Sequence, residues 1–331
     1  MLKPIIILVV AFSLIFEFIN GFHDTANAIA TSVYTKALSA KSAIALAASM
    51  NLVGALVSEK VATTIAKGLV YVTLEQYVIL AALIGAILWN LFTWWKGIPS
   101  SSSHALIGSL VGAVIVYTSS TKSVIWSAVL LKVIVPLFTS PLLGMLVGYS
   151  SMKLINRLLA HRPYAKVNSK FRKMQVFSSA FVAFSHGNND AQKTMGIITL
   201  SLVTGGLLGA DAGVPFWVKL ACACMMALGT SLGGWKVMKT MGSGVTKLTP
   251  ALGFVAQTSS AIVIELMTFL GAPVSTTQVI TTSILGVGSV KRKSAVKWGV
   301  AGNIFTAWIV TLPATMILGG AASFLIGLLA G

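Results

Sequence analysis

The sequence predicts an all-α, polytopic membrane protein made of two repeated halves, with broken helices and re-entrant hairpins. Three observations lead there. Of the 331 residues 56% are hydrophobic and only 9% are charged, and the mean hydropathy of +0.89 lies outside the range of soluble domains. Apolar runs follow one another along the chain. Two short polar motifs also have counterparts later on: Gly21-Phe22-His23-Asp24-Thr25-Ala26-Asn27 against Gly187-Asn188-Asn189-Asp190-Ala191-Gln192-Lys193, and Pro99-Ser100-Ser101-Ser102-Ser103-His104 against Pro273-Val274-Ser275-Thr276-Thr277-Gln278.

Runs of about 17–25 apolar residues cross a bilayer as helices. The candidates in order are Ile5–Ile19, Ala43–Val57, Tyr77–Trp94, Ala105–Tyr117, Val124–Val147, Val176–Ser185, Phe216–Leu232, Leu252–Phe269, Val279–Val287 and Val300–Leu329. The first begins like a signal peptide, with Lys3 ahead of an apolar run, but no small-residue cleavage pattern follows before Asp24, so it is read as a retained helix. Ala105–Tyr117 and Val279–Val287 are short, and each follows a proline and a hydroxyl run. They are expected to be arms of hairpins or broken helices, whose freed backbone groups must face protein or water. Trp89, Trp94 and Trp95 beside Lys96 form an interfacial belt.

Basic residues are unevenly placed. Lys153, Arg157, Arg162, Lys166, Lys170, Arg172 and Lys173 come with no intervening acid, and Lys291, Arg292, Lys293 and Lys297 form a second cluster. Both read as cytoplasmic by the positive-inside rule. The expected organisation is a first repeat over 1–150, a basic cytoplasmic loop over 151–174, and a second repeat over 175–331. The net charge of +17 is thereby explained by topology, and nucleic acid is excluded as a partner because no binding motif interrupts the apolar runs. Cys222 and Cys224 stand in an apolar run without histidine or acid nearby, a packing pair rather than a metal site.

The internal echo extends past the motifs, since Trp95–Pro99 aligns with Phe269–Pro273, and Ser109 and Gly112 with Ser283 and Gly286. Asp190 follows Asp24 by 166 residues and Pro273 follows Pro99 by 174, an insertion of eight. Alignment does not separate parallel from inverted halves. The inverted arrangement is favoured, because it sets two broken helices face to face at the bilayer midplane.

A helix beginning after Pro99 or Pro273 exposes backbone N–H groups and the positive end of its dipole, with serine and threonine hydroxyls as added donors. Such termini bind anions. Ser101, Ser102 and Ser103 from one half and Ser275, Thr276 and Thr277 from the other would surround a tetrahedral oxyanion. An aspartate beside an anion needs a bridging cation, a proton of its own, or a proton supplied by the oxyanion. Asp24 and Asn27 lie one helical turn apart and suit a hard cation such as Na⁺. At the matching place Lys193 puts an ammonium beside Asp190 and argues against a metal there. Glu17 and Glu265 lie within apolar runs, and His23 and His104 flank the motifs.

At these residues the chain resembles the inorganic phosphate transporter (PiT) family. The family signature G-x-N-D-x-x-N-A is matched by Gly21–Ala28 and, in a second copy, by Gly187–Thr194; the hydroxyl motifs Pro99–His104 and Pro273–Gln278 match as well. The resemblance covers nearly the whole chain. It implies a two-fold repeated fold in the cell membrane, a homodimer, and symport of inorganic phosphate with Na⁺ or H⁺. By this resemblance Asp24, Asn27 and Asp190 are coupling residues, and the two hydroxyl runs, with His104, Gln278 and Lys193, contact phosphate. Three departures follow: Lys193 stands where sodium-coupled members have Asn, Gln257 where many have Glu, and Gln278 where many have His. The run Asp190-Ala191-Gln192-Lys193 is similar to bacterial low-affinity members that couple to protons and accept metal–phosphate complexes.

The expectation is therefore a secondary active symporter of phosphate, or of a metal–phosphate complex, coupled to H⁺. The alternatives weighed are Na⁺ coupling and a sulfate permease of the same family. No resident cofactor is expected beyond Na⁺ or a divalent cation carried with phosphate. An enzyme acting on phosphorylated lipids, with Asp24 or Asp190 as base, is disfavoured because no nucleophile–base pair is present, and a channel because the paired sites suit a carrier.

Overall fold

The computed structural model describes residues 4–67, 74–241, 245–290 and 293–330, and within these it is helical apart from short connections and one isolated bridge between Thr246 and Val296. The order is α1 (Pro4–Tyr34), α2 (Ala40–Ala55), α3 (Lys60–Lys67), α4 (Gln76–Lys96), α5 (Ser102–Thr118), α6 (Trp126–Val129), a π-helical turn (Leu130–Ile134), α7 (Val135–Leu158), α8 (Tyr164–Thr204), α9 (Phe216–Leu232), α10 (Trp235–Lys239), α11 (Pro250–Phe269), α12 (Thr276–Ser289) and α13 (Trp298–Ala330).

The same sequence of shapes occurs twice. A long helix carrying an aspartate motif (α1, α8) is followed by a short pair (α2 with α3, α9 with α10). Next come a helix and a shorter helix joined at a proline–hydroxyl bend (α4 with α5, α11 with α12), then a long helix with an internal proline, Pro141 in α7 and Pro313 in α13. Packing between the halves is reciprocal: α1 lies on α9 as α8 lies on α2, and α5 lies on α13 as α12 lies on α7. Glycines at equivalent positions allow these crossings. A Cβ on Gly21 would stand 2.4 Å from the Met226 carbonyl oxygen, and one on Gly187 would stand 2.3 Å from that of Asn51. Such contacts bring backbones together where lipid supplies no hydrophobic drive between helices.

The two hairpins are closed alike. Gly97 (φ 68°) and Gly271 (φ 69°) take the left-handed conformation just past α4 and α11. The next amide in each case, Ile98 or Ala272, donates back to the Thr93 or Met267 carbonyl at 2.9 Å, a helix stop that a side-chain-bearing residue disfavours. The following prolines cannot continue the helix, so the chain reverses and restarts at Ser102 and Thr276.

Five of the described helical segments are long and apolar enough to span a membrane, and six if α2 and α3, bent by 66°, form one broken span. The expected short arms Ala105–Tyr117 and Val279–Val287 are α5 and α12. Two expectations are corrected. Val176–Ser185 is part of the 41-residue α8, which runs unbroken through the second aspartate motif. The basic stretch over 151–174 is the end of α7 and the start of α8, with only residues 159–163 outside helix: Lys166, Lys170 and Lys173 recur at helical spacing, and the chain turns and continues as helix. Lys291 and Arg292 of the second basic cluster lie outside the described residues. Outward faces are apolar, with Phe138, Ile309 and Ile317 exposed, as suits contact with lipid tails.

Candidate functional site

The two restarted helices bring their N-termini to the centre of the molecule, against α1 and α8. Ser101 and Ser275 adopt extended backbone and cap these termini: their side-chain oxygens accept the amide N–H groups of His104 at 3.2 Å and Gln278 at 3.3 Å. The next hydroxyl of each run points at an aspartate. Ser102 donates to Asp24 Oδ2 at 2.5 Å, and Thr276, its counterpart, donates to Asp190 Oδ2 at 3.1 Å. The third position crosses between halves. Thr277 donates to Asp24 Oδ1 at 3.2 Å, while Ser103 receives a hydrogen bond from Lys193 and itself donates to the Val274 carbonyl at 3.0 Å.

Lys193 Nζ has three N–H groups, and all three are committed. They go to Asp190 Oδ1, to Ser103 Oγ, and at 2.9 Å to the Val274 carbonyl. Lys193 and Asp190 are fully buried, at 1% and 0% exposure. Removing two such charges from water is costly unless they meet each other and further hydrogen bonds, and this cluster supplies both. His186, one turn before Asp190, places Nε2 3.2 Å from Asp190 Oδ2 and Nδ1 3.1 Å from Asn51 Oδ1. On the first half His23 Nδ1 lies 2.6 Å from Asp24 Oδ1, and its Nε2 lies 3.0 Å from Thr93 Oγ1.

Of the residues expected at a substrate site, Ser102, Ser103, Thr276, Thr277, Asp24, Asp190 and Lys193 come together. Ser101 and Ser275 act locally as caps. His104 and Gln278 are buried one turn further along, where His104 Nδ1 and both amide atoms of Gln278 have no protein partner. Gln278 borders an apolar crevice with Phe138, Pro141 and Trp308 rather than joining the cluster. The side chain of Asn27 lies outside the described residues. Gln257 belongs to a separate network: it donates to the Ala28 carbonyl at 3.2 Å and accepts from Ser178 at 2.8 Å. Sequence reasoning gave no role to His186, Asn51 or Thr194. His186 stands four residues before Asp190, a helical spacing that puts it on the same face.

Asp24, His186 and Asp190 each offer a ligand atom within 4.8 Å of the others. Two carboxylates and an imidazole form a donor set that divalent cations accept, although Asp190 Oδ1 is already held by Lys193. Chemically the cluster holds neutral hydroxyl donors, one ammonium and two carboxylate acceptors. An oxyanion fits if it takes Lys193, Ser103 and Thr277 and turns a hydroxyl of its own to a carboxylate.

Comparison with known proteins is consistent along the chain. Residues 20–319 match the model of the Phosphate transporter family. A protein of Bacillus subtilis (strain 168) named "Probable low-affinity inorganic phosphate transporter" is 46% identical over 326 residues, covering 98% of this chain and 97% of that protein. One of the same name from Rhizobium meliloti (strain 1021) is 44% identical over 329 residues, covering 99% and 98%. A solved structure described as "The sodium-dependent phosphate transporter" superposes with a TM-score of 0.90 at 26% identity, over 98% of this chain and 100% of that one.

Proposed function

Since this chain belongs to the phosphate transporter family, we propose that it is a secondary active symporter importing inorganic phosphate across the cytoplasmic membrane, coupled to H⁺. The observation that carries the reading is the placement of Lys193. Its three donors are spent on Asp190, Ser103 and the Val274 carbonyl, so an anion gains the ammonium by displacing Asp190. Ser103 and Thr277 supply hydroxyls from the facing helix tips, with the positive ends of α5 and α12 behind them. Hydrogenphosphate can donate its own O–H to Asp24, which sulfate at neutral pH has no proton to do. Asp24 and Asp190 are the acids on which coupling turns.

Reciprocal packing of the halves is what a pseudo-two-fold relation produces, and in this proposal the halves are inverted, with the hairpins entering from opposite sides. Rocking of one half against the other about the shared site would alternate its access. A fixed ammonium beside Asp190 takes the place of a Na⁺ ligand, which favours protons over sodium. The carboxylate–imidazole group of Asp24, His186 and Asp190 favours a second reading of the cargo, a divalent metal–phosphate complex, the metal being substrate rather than resident cofactor. The homodimer implied by the family is part of the proposal, and light scattering on the purified protein in detergent tests it.

The deciding experiment is uptake of labelled phosphate into proteoliposomes with pH and Na⁺ gradients imposed separately. Uptake in sodium-free buffer that collapses with a protonophore is the expected result. Strict sodium dependence would refute proton coupling, and displacement by equimolar sulfate would remove the preference for phosphate.

A further inference from the structure

One buried acid has no part in the site as described. Glu17 lies in α1, fully buried, and its Oε2 accepts a hydrogen bond from Thr194 of α8. Its other oxygen, Oε1, closes no hydrogen bond, although the Asn20 side chain, whose Nδ2 is likewise unpaired, faces this carboxyl. The ionisable groups that face it are Asp190 and Lys193 from α8 and Cys222 from α9, but the donors of Lys193 go elsewhere. A carboxyl kept for packing alone would close its hydrogen bonds, and an ionised one in a membrane span would sit against a cation. Glu17 does neither.

Its position on the helix gives the second observation. Ser13, Glu17, Asn20 and Asp24 recur at steps of four, three and four, so they share one face of α1, and all four are buried, at 0%, 0%, 1% and 2% exposure. Ser102 links the far end of this stripe, donating to Asp24 Oδ2 at 2.5 Å with its hydroxyl oxygen 2.8 Å from Asn20 Oδ1. Thr194, the donor to Glu17, follows Lys193 directly in the chain. Glu17 is therefore joined to the anion-facing cluster along α1 on one side and through α8 on the other.

We propose that Glu17 binds and releases the coupling proton, from a position on the buried polar stripe of α1 two turns from Asp24. The inference rests on the proton-coupled reading above and names the group that performs it. With an anion at Lys193, negative charge accumulates beside Glu17, so anion and proton each tighten binding of the other, and the two travel together. On the low-proton side the O–H bond of Glu17 breaks, the proton passes to water, and the carboxylate left behind weakens the hold on the anion. Glu17 is a coupling residue: it does not touch the substrate.

The test compares wild type, Glu17→Gln and Glu17→Asp in proteoliposomes, reading phosphate accumulation under a pH gradient and gradient-free phosphate exchange. Glu17→Gln should lose more than tenfold of the accumulation and keep exchange within about threefold of wild type, with the pH dependence of exchange flattened. Glu17→Asp should keep accumulation with a displaced pH profile. Accumulation by Glu17→Gln equal to wild type would overturn the proposal. So would loss of accumulation and exchange in both variants, which marks a packing role. A separate arm measures proton uptake on adding inorganic phosphate to detergent-purified protein in weak buffer. Wild type should take up protons and Glu17→Gln should not. If wild-type vesicles respond to Na⁺ alone, the proton-coupled reading fails by itself, and this arm still decides whether Glu17 is the proton site.

Discussion

The two halves place their aspartates on the same scaffold and surround them differently. Asp24 is flanked on α1 by Asn20 and Asn27, at i−4 and i+3; the equivalent neighbours of Asp190 on α8 are His186 and Lys193. Hydroxyl contacts are matched, Ser102 to Asp24 as Thr276 to Asp190, and each carboxylate has an imidazole beside it, so helix tips and carboxylates keep their pairing while the ammonium of Lys193 stands on one side only. Backbone geometry, set by equivalent glycines and prolines, is thus separable from charge. The second half can offer an ammonium to an anion, and the first a carboxylate to a proton-bearing oxygen.

The comparison is broken most completely at Asp24. Asp24→Asn keeps the size and removes the acceptor charge, so gradient-driven phosphate uptake in vesicles should fall to background while membrane insertion and detergent stability hold. Uptake near wild type would deny Asp24 a coupling role. Next in size is Lys193→Met, which strands Asp190 buried without its cation. Breaking a buried pair from one side costs about 3–5 kcal/mol, so the thermal midpoint in detergent should drop sharply. Adding Asp190→Asn should recover much of the stability and none of the uptake. A stable Lys193→Met single variant would mean that the pair contributes little.

Scaffold symmetry is sharpened by Gly21→Ala and Gly187→Ala. Each new Cβ meets a carbonyl oxygen, of Met226 at 2.4 Å and of Asn51 at 2.3 Å, and overpacking against neighbours that cannot yield costs about 1–3 kcal/mol. Both should destabilise to a similar degree by thermal unfolding, and tolerance of one alone would show that the crossings are not equivalent. The smallest effect is expected for Ser102→Ala combined with Thr276→Ala. Losing one hydroxyl per half should raise the apparent phosphate constant about tenfold, on the order of 1.4 kcal/mol. An unchanged constant would mean that these two hydroxyls neither reach the anion nor orient the aspartates beside it.

Most of this arrangement was legible in the chain because the repeat carries its own control. Aligning Asp24 with Asp190 and Pro99 with Pro273 singled out the hydroxyl tips and the acids, and the bend residues fixed where α5 and α12 restart. What failed was hydropathy where burial is polar. In α8 the motif Asn188–Lys193 and the basic start dilute an apolar average, yet these residues are paired inside the protein, so a single helix of 41 residues reads as a short span after a loop. A serine before a helix can serve as cap or as site hydroxyl, so the sequence alone does not show that Ser101 and Ser275 cap α5 and α12. Gln278, next to Thr277 in sequence, turns to the outer crevice, a direction that adjacency does not give. Glu17 stood in an apolar run where nothing local says which neighbour it meets.

In the proposed mode of binding, one phosphate is held between the third hydroxyls of the two tips and Lys193. Equilibrium binding of labelled phosphate to detergent-purified protein, comparing wild type with Ser103→Ala combined with Thr277→Ala, tests it without reference to the driving ion. Affinity should fall by about a hundredfold, roughly 2.7 kcal/mol, with the fold intact by thermal unfolding. Binding as tight as wild type would contradict the account.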